Sequence, residues 1–282
     1  MIDTQLKNII ENALQEDIGK GDITTSAIIT KTTNGLAEFL VKQNGIAAGL
    51  DILEILYNIF DPELKFKKNK NDGAKILAGQ VIATVEGNIA SILTTERTAL
   101  NFLQRMSGIA TYANEFAGKI KHTKAKILDT RKTAPGLRYI DKLAVKIGGC
   151  ENHRIGLYDM FLIKDNHIIA AGSITKAVNA CKKFRKANKA NFKIEVETTN
   201  LEQVTEALKC NVDFIMLDNF NLTEMKKAVD LINGKCKTEA SGGIDLNTVK
   251  QIAETGVDFI SVGALTHSVK ALDISLEIFV QK

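Results

Sequence analysis

Residues 192–219, FKIEVETTNLEQVTEALKCNVDFIMLDN, hold two short apolar runs, FKIEVET and DFIMLDN, with a helical stretch between them. Strands joined through a helix rather than a tight turn run parallel, because a parallel pair needs a crossover connection. The unit recurs on both sides: KILDTRK begins at 126, MFLIKDNH at 160, KTEASGG at 237 and DFISVGA at 258. Successive starts lie 34, 32, 21, 24 and 21 residues apart, the spacing of βα units. Six units predict an α/β fold, an incomplete (β/α) barrel. An open doubly wound sheet fits less well, since no G-x-G-x-x-G follows the first strand.

Upstream the pattern is mixed. Residues 2–16 read as an amphipathic helix, 36–42 (LAEFLVK) and 80–86 (QVIATVE) as strands, and 50–60 (LDILEILYNIF) as an apolar helix ending before Pro62. A longer helix, with Thr94 or Thr95 as its N-cap, carries Leu100, Leu103 and Met106 toward Ser107-Gly108 and joins the two halves. The expected organisation is a smaller α+β N-terminal domain over 1–110, with a C-terminal tail at 270–282 packed on it, and a barrel-like catalytic domain over 111–269.

Composition narrows the function. With 282 residues, 45% hydrophobic, 25% charged and two prolines, the chain buries a sizeable core and has no room for long disorder. Thirty-seven Lys and Arg against 33 Asp and Glu leave +4, too little to mark a nucleic-acid binder. Cys150, Cys181, Cys210 and Cys236 lie 31, 29 and 26 residues apart without a C-x-x-C pair, which argues against zinc and for a reducing compartment. The N-terminus lacks a signal peptide's basic start, and no run of about 18 apolar residues occurs, so a cytoplasmic protein with no membrane partner is expected.

In barrels of this kind the site forms at the C-terminal strand ends. Those ends carry Asp129, Arg131 and Lys132, then Lys164 and Asp165, then Glu195 and Glu197, then Asp218, then Ser241-Gly242-Gly243, then Gly263. Cations, carboxylates and glycines in that order suggest a substrate with an anionic head, a middle that needs carboxylates or a metal, and a phosphate tail. Between 131 and 154 six cations (131, 132, 138, 142, 146, 154) face two acids, Asp141 and Glu151. Arg131 and Arg154 can grip a small dianion through their planar forks. Lys142 and Lys146, at i,i+4, read as a solvated helix face, and His153 as either a ligand or a capping residue. Glu195 and Glu197 share the lumenal face, where they meet substrate or form a structural ion-pair network. Asp218 reads as a ligand, since Asn219 or Asn221 is the better cap for the helix from Leu222. ASGGI and SVGAL place small residues where a strand turns into a helix, so backbone N–H groups can face an anion, with His267 four residues after Gly263. Cys150 is the one thiol expected near the site.

EDIGKGDITT (16–25), TERTALNFLQRMSGIAT (95–111), DTRKTAPGLR (129–138), KIGGCENHRIGLYDMFLIKDNH (146–167), EVET (195–198), IMLDN (215–219), EASGGI (239–244) and ISVGALTHS (260–268) together resemble the quinolinate phosphoribosyltransferase family nearly end to end. The resemblance implies transfer of phosphoribose from phosphoribosyl pyrophosphate to quinolinate, with loss of CO₂, Mg²⁺ as cofactor, and a homodimer or larger assembly with shared sites. It implies that Arg97 reaches the partner's site, that Arg131, His153, Arg154 and Lys164 hold the two carboxylates, and that Lys132 and Thr133 of TRKT meet the substrates. Lys132, Glu197 and Asp218 would be catalytic, with Glu197 and Asp218 in the metal zone and Glu197 the surer of the two glutamates. Ser241, Gly242, Gly243, Gly263 and His267 would take the 5′-phosphate. A relative from molybdenum-transport operons, a nicotinate-using transferase and a phosphate-binding regulator are the rival readings. Nicotinate has one carboxylate and would not need so many cations.

The expectation for Arg131→Ala is a higher quinolinate KM and a kcat/KM at least about tenfold lower, the size of one lost charge-assisted contact. Unchanged steady-state kinetics would remove Arg131 from the site.

Overall fold

Asp3 Oδ1 accepts from Gln5 N (2.8 Å) ahead of α1 (Thr4–Ile18), and Asp22 Oδ1 accepts from Thr24 N and Thr25 N ahead of α2 (Ile23–Ile28), so both helices start at a side-chain cap. The structure is a computed structural model describing residues 3–30, 33–189 and 191–280. After α2 come β1 (Asn34–Val41), β2 (Gly45–Ile46), α3 (Leu50–Phe60), β3 (Lys65–Lys68), β4 (Lys75–Ile76), β5 (Val81–Asn88) and α4 (Ile89–Ile120). Then follow β6 (Lys126–Leu128), α5 (Arg138–Ile147), β7 (Phe161–Ile163), α6 (Asp165–Ala171), α7 (Ile174–Ala187), β8 (Ile194–Thr198), α8 (Leu201–Lys209) and β9 (Phe214–Asp218). The chain ends with α9 (Leu222–Ile232), β10 (Lys237–Ser241), α10 (Val249–Glu254), β11 (Phe259–Ser261), α11 (Ala264–His267) and β12 (Ile274–Val280).

Two compact units divide these elements, and neither is continuous in sequence. The first takes the described residues up to Asn114, Thr133–Gly149 and those from Leu265 onward. Its antiparallel sheet has the order β12-β1-β5-β3, with Phe39 of β1 opposite Leu276 of β12 on one side and Ala83 of β5 on the other. Fully buried Phe39, Leu50, Leu53 and Leu56 form its core. Residues 133–149 join this unit because Arg105 on α4 donates to Asp141 on α5 through Nε and Nη2, both at 2.8 Å. That bidentate pair turns α5 inward at 141 and 142. Lys142 is therefore only 3% exposed, and the solvated face expected for Lys142 and Lys146 holds for Lys146 alone.

The second unit comprises Glu115–Lys132 and Cys150–Ala264. Each of the six apolar runs supplies a strand, and the parallel sheet has the order β6-β11-β10-β9-β8-β7. Among the described residues no pairing joins β6 to β7, so the barrel is open. One isolated parallel bridge, Leu128 with Glu151, extends the β6 edge.

The long helix differs from its expected bounds at both ends. It starts at Ile89, where Asn88 Oδ1 accepts from Ala90 N (2.9 Å) and Ser91 N (3.2 Å). Thr95 is not a cap: its hydroxyl donates back to Ser91 O (2.8 Å), an arrangement a threonine adopts inside a helix. Ser107-Gly108 does not end the helix either, because Gly108 serves packing. A Cβ there would lie 2.1 Å from Lys270 O, so only glycine lets the C-terminal segment approach α4.

Gly108→Ala should destabilise the protein by about 1–3 kcal/mol through overpacking. Gly118→Ala, in the same helix with no atom within 4 Å of the added carbon, should be neutral or stabilising by about 0.4–1 kcal/mol. Denaturant unfolding of both variants checks this, and equal losses would contradict the packing role.

Candidate active site

The register of the parallel sheet decides which side chains share a face. Leu162 pairs with Glu195, so Lys164, two residues on, falls level with Glu197, and Lys164 Nζ donates to Glu197 Oε2 at 2.9 Å. Glu197 pairs with Met216, which puts Asp218 on the same face one pleat further along β9. Asp218 pairs with Ser241, and Met216 with Glu239. Lys164, Glu195, Glu197, Asp218, Glu239 and Ser241 thus line one face of four neighbouring strands.

At the base of this face sits a buried cluster. Glu195 and Glu239 are 0% and 1% exposed, and both face His153 Nε2, at 3.1 Å and 3.5 Å. Ser261 Oγ donates to Glu239 Oε1. His153 N donates to Asp129 Oδ1 (2.9 Å), and His153 Nδ1 accepts from Arg154 N (2.7 Å), so the imidazole is held on every side. Burial opposes charge on His153, but its hydrogen bonds with Glu195 and Glu239 prevail and raise its pKa to about 10. Burial, then the neighbouring Glu239, raises the Glu195 carboxyl to about 7. Both shifts have one sign: the folded cluster holds protons more tightly than the unfolded chain. The three ligand atoms lie within 4.8 Å of one another, close enough to hold a cation, yet Nε2 already bridges both carboxylates.

Next to the cluster lies a crowd of cations. Arg154 Nη1 donates to Met160 O (3.0 Å), and burial followed by the like charge of Arg131 lowers the Arg154 pKa. Arg131 thus stands close enough to Arg154 for their like charges to act on each other, and Lys164, the residue just past β7, meets Glu197. Glu197 and Asp218 add two oxygen donors on the same face.

Gly242 and Gly243 have φ +103° and +59°, the left-handed region that favours glycine. The loop they form does not enter a helix directly, contrary to the reading of ASGGI, since α10 begins only at Val249. Gly263 does precede a helix, the four-residue α11. Of the remaining expected residues, Lys132 is exposed in the second unit, and Arg97, Thr133 and His267 belong to the first. Arg97 is exposed on α4, Thr133 Oγ1 accepts from Arg138 Nε (3.2 Å), and exposed His267 has Nδ1 2.7 Å from Ser268 Oγ. Asn221, not Asp218, caps α9, with Oδ1 accepting from Glu224 N (2.9 Å). Cys150 is 4% exposed, and burial pushes its thiol up to about 12. The sequence reading missed Glu239, which stands two residues before Ser241 and shares its face by the alternation that pairs Glu195 with Glu197.

Comparison with known proteins bears on this arrangement. Residues 22–107 match the family model described as quinolinate phosphoribosyl transferase, N-terminal domain, and residues 109–277 match its C-terminal domain. The decarboxylating quinolinate phosphoribosyltransferase 1b of Nicotiana tabacum is 48% identical over 289 aligned positions, covering 97% of this chain and 82% of that protein. A chloroplastic carboxylating nicotinate-nucleotide pyrophosphorylase of Arabidopsis thaliana is 47% identical, covering 97% of this chain and 82% of that protein. The solved structure of the nicotinate-nucleotide pyrophosphorylase from Francisella tularensis superposes with a TM-score of 0.90 at 41% identity, covering 98% of this chain and 96% of that one.

The cluster carries a pH signature. Glu195's contribution to stability is complete below its unfolded value of 4.5 and lost as pH rises through about 7; that of His153 is complete below 6.5 and lost through about 10. The melting temperature should therefore fall between pH 7 and pH 10, and fall less in Glu239→Gln, which removes one of the two carboxylates on the ring. Parallel curves for the two proteins would contradict the cluster's charge state.

Proposed function

Because this chain belongs to the quinolinate phosphoribosyltransferase family, we infer that it converts quinolinate and phosphoribosyl pyrophosphate to nicotinate mononucleotide, pyrophosphate and CO₂, a step of NAD biosynthesis. The observation that carries this reading is the face of the parallel sheet on which Lys164, Glu197, Asp218 and Ser241 stand together at the strand ends, in a chain that matches both domains of the family. Arg131, Arg154 and Lys164 would hold those carboxylates, and His153 would support them from the buried cluster by fixing the Arg154 backbone. Lys132 and Thr133 would meet the phosphoribosyl substrate. Glu197 and Asp218 would face its ribose, and Ser241, Gly242, Gly243 and Gly263, with His267, its 5′-phosphate.

The chemistry asks mainly for orientation. The pyridine nitrogen attacks ribose C1 as pyrophosphate leaves, through a cation-like transition state that Glu197 and Asp218 can stabilise. The quaternised nitrogen then stabilises the carbanion left at C2 as CO₂ departs, and C2 takes up a proton. No protein nucleophile is needed. Glu197 and Asp218 present hard oxygen donors on one face, one pleat apart, which suits a Mg²⁺ that keeps several waters and draws its other ligands from pyrophosphate oxygens. When bound there, Mg²⁺ would spread the charge of the leaving group. We assign the working form as a homodimer or larger assembly in which Arg97 completes the site of a second copy.

Purified protein given quinolinate, phosphoribosyl pyrophosphate and MgCl₂ should form nicotinate mononucleotide and CO₂ in equal amounts, and should form neither when any component is omitted or nicotinate replaces quinolinate. Equal turnover of nicotinate, or no product from folded protein, would overturn the reading.

A further inference from the structure

Asn219, the residue just past β9, has φ +58°. A residue with a Cβ is strained in this left-handed conformation, and asparagine tolerates it better than most. The strain is not explained by helix capping, because Asn221 caps α9. Instead Asn219 links two strand ends. Its backbone N–H donates to Ser241 O (2.9 Å), and its Nδ2 donates to Asp218 Oδ2 (2.7 Å). Its Oδ1 lies against the glycine loop, where a Cβ on Gly242 would come within 2.2 Å of it. One amide therefore touches the carboxylate that ends β9 and the loop that follows β10.

We propose that Asn219 is a positioning residue that ties the Asp218 carboxylate to the Ser241–Gly243 loop and so sets the spacing between the ribose and 5′-phosphate subsites. This rests on the function proposed above and adds a specificity element to it. The donated hydrogen bond engages Oδ2 and fixes the plane of the carboxylate, which leaves Oδ1 oriented for a ribose hydroxyl or a hydrated cation. With its backbone left-handed, Asn219 remains exposed and still reaches Asp218 through its amide. It also accounts for glycine at 242, whose missing side chain is the space the amide fills.

The test separates backbone from side chain. Asn219→Gly keeps the left-handed conformation without strain and deletes the amide, and Asn219→Asp keeps the shape but sets a carboxylate against Asp218. Both should raise the KM for phosphoribosyl pyrophosphate at least tenfold while the quinolinate KM stays within twofold, and Asn219→Asp should have the lower kcat. A phosphoribosyl pyrophosphate KM unchanged in Asn219→Gly, or equal rises in both KM values, overturns the proposal while the wild-type protein still turns over. Wild-type protein that makes no nicotinate mononucleotide overturns the functional reading, and this proposal with it.

Discussion

Glu195 and Glu239, two carboxylates shut off from water, face a single imidazole at the base of the parallel sheet. Buried charge of one sign is tolerated only when protons and hydrogen bonds compensate it, so the cluster dictates where its neighbours stand. His153 is pinned through its backbone to Asp129, the residue just past β6, and through Nδ1 to the backbone of Arg154. Ser261 closes the ring from β11. Side chains from β8, β10 and β11 and from the residue after β6 are thereby linked through one cluster.

Above that cluster the charge reverses. Arg154 feels both Arg131 and Glu195, and Lys164 donates to Glu197 on β8. The negative cluster offsets part of the repulsion among the cations, and a dianionic substrate would offset the rest. This division explains why the sheet carries more acids than an anion-binding site alone needs. Glu195 and Glu239 hold the scaffold through His153, whereas Glu197 and Asp218 stand nearer the strand ends.

Much of this was legible in the sequence because it depends on local pattern. The βα spacing reveals the six strands, and the two-residue period puts Glu195 and Glu197 on one face. What stayed hidden depends on tertiary contact. Gly108 resembles a helix stop unless the approach of Lys270 is known, and Thr95 resembles a cap although its hydroxyl back-bonds inside the helix. Lys142 looks solvated at i,i+4 from Lys146 until the Arg105–Asp141 pair turns α5 inward. Glu239 gains meaning only when the register sets β10 beside β9, and the separation of the glycine loop from α10 could not be read from ASGGI alone.

The central claim is that the cations above the buried cluster and the glycine ends of β10 and β11 grip opposite ends of one molecule. The most direct measurement is a crystal structure of the protein with nicotinate mononucleotide. The account predicts the carboxylate within hydrogen-bonding reach of Arg131, Arg154 or Lys164, and the phosphate on the Ser241–Gly243 loop. A phosphate bound among the cations, with the pyridine ring outside the face formed by Lys164, Glu197 and Asp218, would contradict it.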